Sequence, residues 1–172
     1  MQRNSVILMG LAMVLVLSMA LSASAAPDLE KPRTFSLLEV DRTFMPLGDF
    51  EFDRAPVGGD QFAEANALYR WTGAKTKGAR VGRNRVLVTF VTGYGTNLSH
   101  RATLFVQAQL YLPDGALSVE GFADVPPRGS HRFTFPVVGG TGVYADARGT
   151  ISVRDVGDGT TGRSRIDLVL LP

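Results

Sequence analysis

The sequence contains no cysteine, and this absence excludes several classes of protein at once. No disulfide can form, so a folded domain must be stabilised by its hydrophobic core alone. Thiolate metal sites, cysteine nucleophiles and an N-terminal lipoprotein anchor are excluded for the same reason. Histidine is almost as scarce, because His100 and His131 are the only two and neither has a second metal ligand at a useful spacing. We therefore predict no metal site and no cofactor.

The chain also lacks an excess of charge of either sign. Lysine and arginine number 18 and aspartate and glutamate 16, and the two kinds are interspersed along the sequence. Recognition of nucleic acid needs a basic patch, so we predict no nucleic-acid partner. The phosphate-binding loop, the dinucleotide fingerprint and the Gly-x-Ser-x-Gly nucleophile motif are missing as well.

The N-terminus has the three-part pattern of a secretory signal peptide, which we place at residues 1–25. Arg3 supplies the positive charge, Val6–Leu21 is an almost unbroken apolar run, and Ala23-Ser24-Ala25 is a small-x-small cleavage site. The alternative is a membrane anchor, but about 16 apolar residues fall short of the roughly 20 that span a bilayer. We predict a short tether over 26–33 and a secreted, extracellular domain over 34–172, close to neutral and without a membrane anchor.

After the tether, the pattern is one of short β-strands separated by turns. Pro113-Asp114-Gly115 is a strong turn signal between two of them, and no long helical pattern is present. Residues 55–82 are the least regular, with one or two helical turns expected over 63–69. The predicted strands are 34–38, 42–47, 50–53, 85–92, 103–112, 116–123, 131–138, 150–154 and 164–171. This spacing predicts an all-β antiparallel fold of about eight strands, either a sandwich or a barrel.

Three predicted strands have two chemically different faces. In 164–171, aliphatic residues alternate with Arg165 and Asp167, and 150–154 alternates in the same way. In 103–112, Leu104, Val106, Ala108 and Leu110 oppose Phe105, Gln107, Gln109 and Tyr111. An aliphatic face that points inward is expected of a monomeric barrel, whereas an oligomer can bury part of an aliphatic outer face. The alternation alone leaves both assignments open.

Residues 136–149 (PVVGGTGVYADARG) are the most informative stretch of the chain. Gly139, Gly140 and Gly142 permit positive φ and close approach of the backbone, and Gly149 opens the next predicted strand. A phosphate cradle would need a helix to follow, whereas strands flank this segment on both sides. We predict a tight chain reversal in which these four glycines have a structural role.

The pattern GGTG-x-aromatic-x-x-ARG in this stretch resembles the signature of dirigent proteins and of the wider allene oxide cyclase barrel-like superfamily. Val81-Gly82-Arg83 and Leu47-Gly48-Asp49-Phe50 are similar to further elements of that family, in the same order, so the resemblance covers residues 48–172. It implies a single antiparallel β-barrel rather than a sandwich. It also implies a homo-oligomer, a trimer before a dimer, in which part of the outer barrel face is buried.

The resemblance implies that the barrel lumen binds a small apolar or phenolic intermediate and directs its cyclisation or coupling. Such a protein is a cofactor-free isomerase or cyclase. The alternative is a non-catalytic secreted barrel that binds a hydrophobic small molecule or a protein partner. The chain departs from the family over residues 62–77, which are longer than in plant members, and after Gly142, where no charged residue follows. We therefore do not assign the activities of the plant family members to this chain.

Seven side chains are candidates for the lumen site. Arg148 matches a family arginine near the pocket rim, and a structural role at the turn is the alternative. Glu51 and Glu120 lie on predicted strands and Asp49 directly precedes the first of these, where an inward carboxyl would be a candidate general acid and an outward one a solvated surface group. The candidates for hydrogen bonds to a ligand are Tyr94, Tyr111 and Tyr144.

Overall fold

A computed structural model of the protein describes residues 31–50, 54–73, 76–95, 100–129, 131–157 and 161–172. Eight antiparallel strands pair in chain order, and the first pairs with the last, so the sheet closes into a barrel. The strands are β1 (Arg33–Leu47), β2 (Gln61–Trp71), β3 (Lys77–Thr92), β4 (Ala102–Leu112), β5 (Gly115–Val125), β6 (Arg132–Gly142), β7 (Arg148–Asp155) and β8 (Ser164–Leu171). The prediction of an antiparallel barrel of about eight strands is confirmed. The predicted signal peptide lies outside the described residues, within which no helix is long and apolar enough to span a membrane.

Two predictions about the first half of the barrel are wrong. Residues 34–38 and 42–47 belong to one strand, β1, whose pairing with β2 shifts register between Val40 and Thr43. Such a shift is typical of a β-bulge, which interrupts the alternation of faces that a sequence pattern relies on. Residues 63–69, expected to be helical turns, form the centre of β2, and β3 begins at Lys77 inside the region predicted to be irregular.

The predicted chain reversal at the glycines is displaced. Gly139, Gly140 and Gly142 lie within β6, where Gly140 pairs with Leu117 of β5. The chain reverses just after them, in the turn over residues 143–146 that precedes β7. The glycines therefore extend a strand, and two of them, Gly139 and Gly142, have positive φ as expected. Gly149 lies in β7, also with positive φ, where a side chain would overlap the backbone carbonyl of Val169.

The interior of the barrel is formed by the aliphatic faces of the strands. Ile166, Leu168 and Leu170 of β8 are almost completely buried, whereas Arg165 and Asp167 pair with each other on the outer face. The aliphatic face of β4 likewise packs into the core, with Val106 and Leu110 buried. The aliphatic face points inward on both strands, as expected for a monomeric barrel.

The opposite face of β1 is covered too. Leu38 and Val40 are buried there with Val156, and the partly buried rings of Tyr69 and Trp71 pack against them. The guanidinium of Arg165 lies over the Trp71 ring at 4.9 Å, a cation–π contact. This second cluster means that β1 is buried on both faces over its middle part, including Glu39 on the lumen side.

Candidate functional site

The barrel encloses a cavity of about 350 Å³ whose walls are mainly apolar. This volume lies near the lower end of the ~300–1,000 Å³ typical of small-molecule sites. Phe44 lines the cavity and is 44% exposed, so the cavity reaches solvent at the end of the barrel where β1 ends. Phe62 and Phe133 lie at the same end, which we call the mouth. The opposite end is filled by buried side chains that include Tyr144 and Ala147.

Four polar side chains stand together on the lumen side of β1, β2 and β3, and we call them the lumen polar cluster: Glu39, Glu64, Asn66 and Asn84. The amide nitrogen of Asn66 donates to Glu39 Oε1 at 2.7 Å and to Glu64 Oε2 at 3.2 Å. The amide nitrogen of Asn84 donates to the same Glu39 oxygen at 2.5 Å. Glu39, Asn66 and Asn84 are each at most 4% exposed. One carboxyl is therefore held inside the barrel by two amide groups.

Strand register brings this cluster together. Asn66 of β2 is paired directly with Asn84 of β3, which places their side chains next to each other on one face. Glu39 of β1 is paired with Leu68, two residues along β2 from Asn66, so it reaches the asparagines along a diagonal. Neighbouring strands thus fix the position of the carboxyl relative to the apolar walls, which a single flexible loop would not do.

Each of the two asparagines also has a side-chain amide oxygen. Asn66 Oδ1 and Asn84 Oδ1 are buried and accept no hydrogen bond from any protein group that the structure describes. Buried amide oxygens are normally satisfied, and leaving one without a donor costs about 1–3 kcal/mol. Asn84 is part of the cavity wall, but its side-chain oxygen is too buried for a bound molecule to reach.

At the mouth, His131 is held by neighbours from two segments. Its backbone nitrogen donates to Asp155 Oδ2 at 2.9 Å, and its Nδ1 is 3.3 Å from the same oxygen. Its ring stacks on Phe133, with the ring centroids 5.8 Å apart. No group of three or more potential metal ligands occurs within the described part of the chain. His131 is thus a polar group on the wall of an entrance that aromatic and aliphatic side chains otherwise line.

The acidic and basic residues proposed from the sequence lie elsewhere. Arg148 is exposed at the start of β7, Asp49 is exposed in the turn after β1, and Glu120 is exposed on the outer face of β5. None of these three lines the cavity. For Glu120 the reason is the alternation of β5, because its neighbour Val119 faces the lumen. Their placement in the lumen is corrected accordingly, and Glu51 lies outside the described residues.

The three tyrosines are likewise absent from the cavity wall. Tyr111 is on the outer face of β4, where its hydroxyl donates to Gln109 at 2.5 Å and the Arg83 guanidinium lies 5.1 Å from its ring. Tyr94 is partly buried beside Phe90, and burial raises the pKa of its hydroxyl. Tyr144 is buried at the closed end, and burial raises the pKa of its hydroxyl as well. Their predicted role as ligand-binding groups is not supported by this placement.

A family model described as "Allene oxide cyclase barrel like domain" matches residues 70–168. No curated protein sequence matches the chain. Among solved structures, a pyocyanin demethylase has a TM-score of 0.61 and 18% identity, over 80% of this chain and 99% of its own. An exo-specific intermolecular Diels–Alderase has a TM-score of 0.56 and 17% identity, over 81% and 98%. A pterocarpan synthase dirigent protein has a TM-score of 0.58 and 18% identity, over 82% and 94%. At these identities the likeness shows the fold.

Proposed function

The chain belongs to the allene oxide cyclase barrel-like family, and from that premise we propose that it binds a small apolar or phenolic intermediate in its lumen and directs its cyclisation or coupling. The observation that carries the proposal is the apolar cavity of about 350 Å³ with the oriented carboxyl group of Glu39 in its wall and that of Glu64 beside it. Solved relatives described as a Diels–Alderase and a dirigent protein have the same fold, which supports a reaction of this class.

In the proposed mechanism, the apolar walls of the cavity make the larger contribution to the rate. Apolar side chains from all parts of the barrel hold a flexible intermediate in one folded conformation and exclude water from it. The carboxyl group of Glu39 is oriented by the amides of Asn66 and Asn84, so it acts on one position of the bound molecule. Its role is to orient a polar group of the substrate or to move one proton, and the reaction requires no covalent nucleophile.

A non-catalytic barrel that binds a hydrophobic molecule is the rival function. A carrier needs only apolar walls, and burial of several polar groups in such walls is unfavourable unless they serve a purpose. The convergence of Glu39 with two asparagines in the lumen therefore favours the enzyme over the carrier. For both functions, we expect Glu39→Gln to leave the affinity for an apolar probe unchanged. For an enzyme, it should also lower the rate at which the bound intermediate is cyclised or coupled, whereas a carrier has no such reaction.

Substitution Ala108→Phe tests whether the lumen is the binding site. Ala108 is on the cavity wall, and a phenyl group there would occupy part of the 350 Å³. We expect the affinity for a small fluorescent aromatic probe, such as 2-methoxynaphthalene, to fall at least tenfold, which is about 1.4 kcal/mol. Fluorescence titration of the purified protein measures this change.

The matched control is Thr134→Phe, because Thr134 is exposed on the outer face of β6, next in sequence to Phe135 of the cavity wall. It adds the same ring outside the barrel and should leave the affinity for the probe unchanged. Equal affinities in the wild type and both variants would show that the probe binds elsewhere and would refute the lumen as the site.

We further propose that the protein is exported and that residues 1–25 are removed. The support is the apolar run that ends at Ala23-Ser24-Ala25. On expression of the full-length chain in a bacterium, we expect an extracytoplasmic product whose N-terminus lies near Ala26. Replacing Ala23 and Ala25 together by Asp should block cleavage. An unprocessed wild-type chain that stays in the cytoplasm would contradict export.

We also propose that the protein forms a homo-oligomer, and we favour a trimer over a dimer. The aliphatic face of β4 lines the lumen, so it offers no surface for a contact between subunits. The support is a groove of about 770 Å³ on the outer surface, with Met45 and Val138 exposed along it. Phe122, 65% exposed, is a further apolar side chain on the same side of β5 as Glu120 of the groove.

Light scattering measures the assembly directly. We expect a mass three times that of the monomer, and we expect Val138→Glu to reduce it, because a charge would then be buried in the contact. The control Arg148→Glu changes charge at an exposed position outside the groove and should not alter the mass. A clean monomer mass for the wild type at high concentration would refute the proposal.

A further inference from the structure

Strand β3 carries a line of positive charge on the outer surface of the barrel. We call it the β3 basic stripe, and its members are Lys77, Arg80, Arg83 and Arg85, all of them exposed. Arg83 and Arg85 flank Asn84, which is buried on the lumen side, so the alternation of the strand points both arginines outward. At the usual rise per residue, the stripe is about 25 Å long. The chain as a whole has 18 basic and 16 acidic residues, so this stripe is a local separation of charge.

The strands on either side bring no carboxyl group to this surface. In β4, which contains no aspartate or glutamate, the partners of Arg83 and Arg85 are Tyr111 and Gln109. The single acidic residue of β2, Glu64, is on the lumen side. None of the three arginines forms an ion pair with a residue that the structure describes. The partners of the stripe in β2 are also uncharged: Ala65, Ala67, Tyr69 and Trp71.

Aromatic rings on the neighbouring strands hold two of the cations in position. Lys77 Nζ lies 5.1 Å from the centroid of the Tyr69 ring, and the Arg83 guanidinium lies 5.1 Å from that of Tyr111. A contact with a ring face restrains a long side chain but uses none of the N–H groups in the guanidinium plane, which remain as donors to an anion. A shallow pocket of about 440 Å³ adjoins them, with Arg80, Arg83 and Tyr111 in its wall. The stripe therefore combines oriented cations with a recess.

We propose that the β3 basic stripe binds a linear acidic polysaccharide along the strand. Four cations in a line favour a partner whose carboxylates or sulfates repeat along its length, because the contacts then add within one molecule. The hydroxyl of Tyr111 donates to Gln109 at 2.5 Å, so its oxygen still accepts a hydrogen bond from a sugar hydroxyl beside the arginines. This partner and this surface are independent of the lumen and go beyond the function proposed for it.

A polymer bound to the stripe would leave the entrance of the barrel open. Phe62, at the mouth, is paired with Val88 near the end of β3, so Lys77 at the start of β3 lies at the opposite end. The stripe would hold the protein on an acidic matrix while small molecules enter the cavity.

Two other classes of anionic partner fit this surface less well. Proteins that lie on a membrane insert apolar side chains beside their cations, whereas Ala65 and Ala67 next to the stripe are too short to insert. Single-stranded nucleic acid stacks its bases on open aromatic rings, whereas Tyr69 and Tyr111 each have a cation over the ring. Both classes are included in the test.

Biolayer interferometry with immobilised polymers tests the proposal. We expect the wild-type protein to bind heparin and polygalacturonate at low ionic strength and not to bind neutral dextran. The affinity should fall at least tenfold when salt is raised to about 1 M, because the ions screen exposed charges. Absence of binding to both acidic polysaccharides would overturn the inference. Binding to phosphatidylglycerol vesicles or to oligothymidylate that is as tight as binding to the polysaccharides would overturn it as well.

Paired variants locate the site. The double substitution Arg80→Gln and Arg83→Gln should lower the affinity for heparin at least tenfold. Arg85 is left unchanged because it also lines the outer groove proposed for subunit contacts. The control is Arg128→Gln with Arg132→Gln, which removes the same charge from exposed positions at and before the start of β6 and should leave the affinity unchanged. Equal losses in the two double variants would show that net charge, and not the stripe, causes binding.

A further variant and a second readout exclude loss of folding as the cause. Arg80→Lys with Arg83→Lys keeps both charges and should retain most of the affinity for heparin. All three double variants should bind the lumen probe 2-methoxynaphthalene as the wild type does. Loss of probe binding in the wild type would count against the lumen function alone, whereas loss of polysaccharide binding would count against the stripe alone.

Discussion

Replacement of Leu168 by alanine is expected to lower the free energy of unfolding by about 2–5 kcal/mol, as for other buried leucines. Leu168 is 1% exposed in the middle of β8 and faces Phe35 and Ile151 on the neighbouring strands. The substitution removes buried apolar surface and leaves a cavity that the closed sheet cannot collapse to fill. Urea denaturation followed by circular dichroism measures the loss.

The matched control is Leu171→Ala in the same strand. Leu171 is 48% exposed on the opposite face, so its truncation should cost well below 1 kcal/mol, as is usual for surface substitutions. A similar loss for both variants would mean that the assignment of inner and outer faces in β8 is wrong. The comparison therefore tests which face of β8 points into the barrel as well as the contribution of Leu168 to the free energy of unfolding.

The separation of β8 and β4 into an aliphatic and a polar face could be predicted, because each strand has a two-residue period. The structure, and not the sequence, shows that the aliphatic face points into the lumen. The alternation in β8 runs without interruption, and the strand occupies the predicted residues 164–171. Closure into a barrel was not contained in this pattern, since a sandwich has the same alternation. The glycine-rich motif supplied that information through a resemblance, and the family model and the fold agree with it.

β2 was missed because its pattern is inverted. Glu64 and Asn66 point to the lumen side while Ala63 and Ala65 lie on the outer surface, so the polar residues are inside. Alanine has a weak preference for strands, and the three alanines at positions 63, 65 and 67 favour a helical interpretation. Once the fold is known to be a barrel, a strand with polar residues on its inner face and small apolar residues on its outer face indicates a polar site in the lumen.

The polar group at the centre of the site was missed for a different reason. Glu39 lies between Leu38 and Val40, which are buried on the other face of β1 by the cluster around Val156. With both faces covered, β1 has no alternation from which the direction of Glu39 could be read. Arg148 was favoured instead because it is part of the motif. A motif gives the position of a residue along a strand, but the direction of its side chain depends on the local register.

The glycine-rich motif contains Gly140, where even a substitution by alanine should have a large effect on stability. Gly140 is extended and is not among the glycines with positive φ, so its importance does not come from backbone conformation. A Cβ atom there would overlap the carbonyl oxygens of Ala116 and Tyr144 and would lie 2.9 Å from Tyr144 Cβ. Glycine is therefore needed because β5 and the turn after β6 approach this point from two directions.

Substitution Gly140→Ala is accordingly expected to destabilise the protein by about 3 kcal/mol, since backbone atoms on both sides must move to admit one methyl group. For a domain of this size, such a loss lowers the melting temperature by roughly 10 °C. The control is Gly121→Ala in β5, another glycine without positive φ, where the new Cβ meets only side-chain atoms, of Phe135 at 3.2 Å and Pro136 at 3.3 Å. Contacts at these distances require shifts of only a few tenths of an ångström, so this variant should lose clearly less than Gly140→Ala, at about 1 kcal/mol. If thermal unfolding gave the two variants the same melting temperature, the close approach of Tyr144 to β6 would be wrong, and with it the reason for the glycine-rich motif.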